Sequence, residues 1–166
     1  TDKAAVRDTE EDWNNTVKVM VAPFVNYVDG VNLAEATAAD ATQSTTLLEN
    51  TVEEFKTLLT EDDAYKTIYE KYLQIQIAKF RAYVEGVDLD NVTAENRTTA
   101  ESLYTNLEDE YKAVVQDDEA LYAKYIAIIS SEFKEYIEAI DLDNVDDSVR
   151  SEAQKKYQAL SEDAKK

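Results

Sequence analysis

The chain contains no cysteine and no histidine among its 166 residues. The first absence excludes disulfides, thiolate metal sites and thiol nucleophiles, and the second excludes imidazole bases and ligands. Glycine and proline are almost missing as well, at two and one. A chain with so few places to break is suited to long helices. No apolar run reaches the roughly 20 residues that a membrane-spanning helix needs, and no signal-peptide pattern opens the sequence. Positive charge is scarce: 17 Lys and Arg stand against 36 Asp and Glu, giving a net charge of −19. Nucleic acids and anionic membranes carry the same sign, so neither is an expected partner. A charge of this size favours a soluble monomer and says nothing about fold.

What is present is helical periodicity. Apolar residues recur three and four apart in six stretches, and none shows the sustained alternation of a strand. The stripes run through Val17, Met20/Val21, Phe24 and Val28; Ala41, Leu48, Val52, Phe55 and Leu59; and Tyr65, Tyr72, Ile75, Phe80, Val84 and Val87, with a phase slip near Ile77. They continue through Val92, Ala100, Leu103, Leu107, Tyr111 and Val115; Leu121, Tyr125, Ile128, Phe133, Ile137 and Ile140; and Val145, Val149, Ala153, Tyr157 and Leu160. Gly30 and Gly86 are expected to end the first and third helices in the left-handed conformation. Thr93-Ala-Glu-Asn96 reads as a capped helix start.

One tract comes round three times. Phe24…Tyr27-Val28…Val31…Leu33 returns as Phe80…Tyr83-Val84…Val87…Leu89 and as Phe133…Tyr136-Ile137…Ile140…Leu142, at separations of 56 and 53. A recurring period of this length marks copies of one supersecondary unit. The three-residue difference is placed inside the third helix, where three residues are nearly one turn. The expected fold is all-α: six antiparallel helices from helical-hairpin repeats, arranged as two three-helix bundles. One bundle takes residues 1–88 and the other 89–166, with helices near Asp12–Val87 and Val92–Lys166. A continuous solenoid of hairpins is the alternative. The chain opens at Thr1 and stops within a copy, so a piece of a longer protein is expected.

Few residues offer chemistry. Asp88-Leu-Asp90-Asn91 and Asp141-Leu-Asp143-Asn144 start like calcium loops, with oxygens at the first and third positions. The fifth positions are Val92 and Val145, and Thr93 and Asp146 replace the glycine needed at the sixth. These four aspartates are therefore read as turn and capping residues, with no metal site. The paired acids Asp62-Asp63 and Asp117-Asp118-Glu119 need burial to become acid–base catalysts, and they fall in expected turns. Eleven tyrosines are present. Tyr65, Tyr72, Tyr104, Tyr111, Tyr125 and Tyr157 lie on apolar stripes, whereas Tyr69 and Tyr122 lie at their margins and are the candidates for a binding surface. Trp13 is a candidate staple, or a contact to a preceding unit. Three glycosylation sequons, at Asn14, Asn91 and Asn96, are read as chance matches. No catalytic residue, metal ligand or cofactor site is assigned, and an enzyme is not expected.

The tract from Val92 through Arg97, Tyr104, Leu107, Glu110 and Lys112 to Val115, followed by Leu121, resembles the small helical repeats found in tandem in Gram-positive cell-surface and secreted proteins. Tyr157-Gln-Ala-Leu160-Ser-Glu-Asp-Ala-Lys165 repeats the middle of that pattern. The first copy departs from it, with Leu48 at the Tyr position and Thr51 at the Leu position. The resemblance implies a stalk, spacer or adhesive segment, non-enzymatic and extracellular. Its partners would be neighbouring repeats, or a protein or glycan ligand met through a Tyr-rich surface.

Overall fold

The computed structural model describes residues 10–165; Lys166, the end of the last expected helix, lies outside them. Among the described residues there are nine α-helices and no strand. They are α1 (Glu10–Gly30), α2 (Ala38–Glu49), α3 (Glu53–Glu61), α4 (Lys66–Gln76), α5 (Ala78–Gly86), α6 (Ala94–Thr105), α7 (Asp109–Asp117), α8 (Glu119–Glu138) and α9 (Asp147–Ala159). Short 3-10 turns at Leu33–Glu35, Leu89–Asn91 and Leu142–Asn144 precede α2, α6 and α9. No helix among these residues is long and apolar enough to cross a membrane.

Nine helices stand where six stripes are read because three stripes are broken. The second breaks at residues 50–52 and the fourth at 106–108. Neither break holds a Gly or Pro. The N–H groups of Asn50 and Asn106 bond back to the preceding turn, and acidic pairs open the next helix: Glu53 and Glu54 in α3, Asp109 and Glu110 in α7. Carboxylates favour that position because the helix N-terminus carries partial positive charge. The third stripe breaks at Ile77, as its phase slip anticipates. Ile75 and Ile77 are both fully buried, which an unbroken helix forbids because residues two apart point about 200° from each other.

Element positions recur at the spacing of the sequence tract. The helices α2, α6 and α9 start at residues 38, 94 and 147, and α3 and α7 span 53–61 and 109–117. The three residues by which the spacings differ are not inside the third helix. Four residues, 62–65, link α3 to α4, whereas Asp118 alone links α7 to α8. A loop absorbs an insertion at little cost, while a helix would rotate its buried face.

The glycines also behave otherwise than expected. Gly30 and Gly86 do end α1 and α5, but no glycine has a positive φ. The chain leaves through right-handed turns, with the N–H of Val31 on the carbonyl of Val28 and that of Val87 on that of Val84, both at 3.3 Å. Nothing stands within 4 Å of where a Cβ would sit on either glycine. Ala139 fills the third such position without strain, at φ −81°.

Two compact units divide the chain, Thr1–Lys79 and Phe80–Lys166. In the first, α1, α2, α3 and α4 pack on one another around Val21, Phe24, Val28, Phe55, Leu59, Tyr72 and Ile75. Trp13 stacks on Phe55 at 5.7 Å, so it serves its own unit. Gln76 ties α4 to α2 by donating to the Ser44 hydroxyl and the Ala41 carbonyl and accepting from Thr45. In the second unit α6, α7 and α9 pack on α8, with Phe80, Val84, Tyr104, Val115, Leu121, Tyr125 and Ile128 buried. Several residues of the expected stripes are exposed instead. Met20 lies beside a stripe already filled by Val17, Val21 and Phe24, and Val52 caps α3 at the break. Ile137, Val145 and Tyr157 belong to the α8–α9 region, where α9 buries none of its residues.

Candidate functional site

The acidic turns resolve into capping devices. Asp88 accepts hydrogen bonds from its neighbour's backbone at Asp90 (3.1 Å) and from the Asn91 amide (2.8 Å). Asp141 does the same with Asp143 N–H (3.1 Å) and Asn144 (2.5 Å). Hydrogen bonds to the charged form, the asparagine's foremost, hold both carboxyls below the usual aspartate range. The first copy performs the same turn with other letters: Asn32 accepts from Ala34 N–H at 3.2 Å and donates to Glu35 at 3.0 Å. Asp90 and Asp143 contribute backbone N–H groups to these turns. Among the described residues no three acidic side chains come together as a metal cluster.

The helix starts that follow are capped alike. Thr37 pairs reciprocally with Asp40, and Thr93 with Asn96, as capping boxes, while Asp146 accepts from Val149 N–H at 2.8 Å. A tyrosine thirteen residues upstream clasps each third helical residue. Tyr27 donates to Asp40 (2.9 Å), Asn96 donates to Tyr83 (3.2 Å), and Tyr136 donates to the Val149 carbonyl (3.2 Å). Asn96 and Asn91 both spend their side-chain amides in these structural bonds.

The paired acids are divided by the structure. Asp62 closes α3 and accepts from Ala64 N–H at 2.9 Å; both it and Asp63 are exposed. Asp118 caps α8 through Leu121 N–H (3.1 Å) and pairs with Arg81 at 2.9 Å. The Leu121 bond first, and Arg81 next, hold its carboxyl below the ordinary range, the reverse of what a general acid needs.

Among the described residues Tyr157 is the one exposed tyrosine, at 45%, although its stripe places it in the core. Tyr72, Tyr104 and Tyr125 are buried, and Tyr65 and Tyr111 are half-buried. Tyr69 and Tyr122, read as surface candidates, are half-buried too: Tyr69 lies 5.5 Å from Tyr72, and Tyr122 lies 6.2 Å from Tyr125. Burial and the Asp163 carboxylate push the Tyr122 hydroxyl up to about 12. The structure therefore gathers no exposed tyrosine surface.

Two hollows remain. One, of about 500 Å³, is open to solvent beside Tyr27, Asn32 and Asp40 in the first unit. The other, about 130 Å³, lies in the second unit between Ile129, Phe133 and Leu160, with Arg97, Glu132 and Lys156 at its edge. Glu132 accepts from both cations at 2.9 Å, and the Lys156 bond is the larger reason its carboxyl is held low. The convergent charges satisfy each other, so the cleft offers apolar surface more than it offers chemistry.

Sequence reading missed one pattern. Ile68-Tyr-Glu-Lys71-Tyr72-Leu-Gln-Ile75 in α4 and Leu121-Tyr-Ala-Lys124-Tyr125-Ile-Ala-Ile128 in α8 share the frame apolar-Tyr-x-Lys-Tyr-apolar-x-Ile, 53 residues apart. Aligning the third helix at 56 residues conceals it, and moving the insertion to the preceding loop reveals it. Its tyrosines sit on the recurring phenylalanines, Tyr72 on Phe24 at 5.4 Å and Tyr125 on Phe80 at 5.5 Å. Its lysines donate to carbonyls in the last turn of the helices that bear those phenylalanines, Lys71 to Asp29 of α1 (2.6 Å) and Lys124 to Glu85 of α5 (2.7 Å).

No family model, curated protein or solved structure matches this chain.

Proposed function

We propose that this chain is a non-catalytic structural or adhesive segment, a spacer or stalk, of an extracellular bacterial surface protein. In this reading it is a tandem array of two three-helix bundles with six antiparallel legs. The broken pairs α2–α3, α4–α5 and α6–α7 each count as one leg. The observation that carries the proposal is that the same device recurs at three places: a 3-10 turn capped by Asn32, Asp88 or Asp141, then a helix clasped by Tyr27, Tyr83 or Tyr136. The capping and clasping side chains of these devices all bond to backbone groups or to one another, so what recurs is scaffold. Each carboxyl with a resolved shift is held low, which suits capping and ion pairing and gives no poised acid. Among the described residues Tyr157 is the one exposed tyrosine, and it packs on Phe133, which favours the scaffold reading over a tyrosine-built ligand surface. The setting is tested by exposing intact source cells to a membrane-impermeant protease and an antibody against this segment. Surface labelling and shedding are expected, and a protein reached only after lysis overturns the extracellular reading.

A further inference from the structure

The helix that bears the recurring phenylalanine carries an apolar edge that needs a cover. On α1 the edge is Phe24 and Val28, and on α5 it is Phe80 and Val84; all four are buried to within 1%. Two elements close each edge. One is the helix that follows the 3-10 turn, as when Tyr104 of α6 packs on Phe80 at 5.8 Å. The other is the helix with the Lys-Tyr frame, α4 or α8, through Tyr72 or Tyr125.

The third edge is Phe133 and Ile137 on α8. Its first cover is present: Tyr157 of α9 meets Phe133 at 5.8 Å, the distance and place of Tyr104 on Phe80. α9 packs on α8 and buries none of its own residues. Phe133 is half-buried and Ile137 is 40% exposed, where Val28 and Val84 are fully buried. The cleft on this edge has Ile129, Phe133 and Leu160 in its lining, together with the charged Arg97, Glu101, Glu132 and Lys156.

We propose that this α8–α9 face is a docking groove for one helix, supplied by a further repeat of this type and carrying the frame apolar-Tyr-x-Lys-Tyr-apolar-x-Ile. The chain itself shows the occupant twice. The second tyrosine enters beside the phenylalanine, and the isoleucine three residues later, on the same helix face, is buried, as Ile75 and Ile128 are at 0% exposure. The lysine meets the carbonyl end of the helix that bears the phenylalanine, where partial negative charge attracts a cation. That end of α8 carries Glu135 and Glu138 as well as Lys134, which pairs with Glu138 at 3.8 Å, so Glu135 and the end carbonyls are what favour a basic residue at that place. The inference stands on packing and is independent of the extracellular setting.

The test extends the full chain after Lys166 with a second copy of its own residues 114–131, which continues the 53-residue spacing and tethers the frame beside the groove. Tethering supplies a high effective concentration without requiring the free segment to be helical. Thermal melts are compared for the chain with and without the extension. The expected result is a Tm rise of about 4 °C or more, since about 1 kcal/mol of added stability shifts a chain of this size by about 2–4 °C. That rise should vanish with Tyr125→Asp made in the appended copy alone. It should also vanish with Ile137→Asp in the groove, measured against the unextended Ile137→Asp chain. No rise overturns the proposal, as does a rise that survives both substitutions. Val19 of α1 is 71% exposed, and concentration-dependent dimerisation of the unextended chain that disappears both on Val19→Asp and on Ile137→Asp would assign the face to α1 of a second copy and overturn the proposal as well.

Discussion

Phe80 and Phe133 hold the same place in the sequence tract and have different surroundings. Phe80 is 1% exposed between Tyr104 and Tyr125, whereas Phe133 has Tyr157 on one side and is half-buried. Sequence equivalence alone reads both as core anchors, because periodicity reports which face a residue takes and not what covers that face. Phe80→Ala is expected to cost about 3–5 kcal/mol and Phe133→Ala about half as much. Chemical denaturation of the two variants checks this, and equal losses would contradict the difference in cover. The glycines teach a related lesson. Their type suggests a left-handed cap, yet neither φ is positive, and Ala139 already occupies the third equivalent place. Gly86→Ala is therefore expected to stabilise by about 0.4–1 kcal/mol through a less flexible unfolded chain. A drop in Tm would show that the helix end needs glycine after all.

Among the elements, the all-helical class, the slip at Ile77 and the capped start at Thr93 were legible, because they rest on period and on local hydrogen-bond chemistry. The breaks at residues 50–52 and 106–108 were not, since no Gly or Pro marks them. Their sign was the acidic pair opening each new helix, Glu53-Glu54 and Asp109-Glu110, which a stripe of apolar residues overlooks. The candidate calcium starts at Asp88 and Asp141 were legible as turns because the later ligand positions hold Val and no Gly. The Lys-Tyr frame escaped notice because the insertion was assigned to a helix rather than to the loop at 62–65. Asp118 joins these levels, capping α8 and pairing with Arg81. Its folded pKa lies below the ordinary value, so its contribution is present above the unfolded pKa of about 3.9 and is lost as pH falls through the folded value. Asp118→Ala should cost about 1 kcal/mol at pH 7. The gap to the parent chain should shrink as pH falls below the unfolded pKa and through the lower folded one. A gap that stays constant into acid would remove the charged cap from the account.

For the whole molecule the central claim is that the phenylalanine edges of α1 and α5 are each closed by a helix with the Lys-Tyr frame, while the edge of α8 is covered by α9. Stability should therefore be uneven in a specific way, since local opening follows buried contact. The direct measurement is native-state amide hydrogen exchange along the entire chain. The account predicts that the middle of α4, with Tyr72 and Ile75, and the first half of α8, with Leu121, Tyr125 and Ile128, exchange slowest within their units. It predicts that α9, which buries no residue, exchanges fastest of the helices in the second unit. Protection of α9 equal to that of the first half of α8 would contradict it.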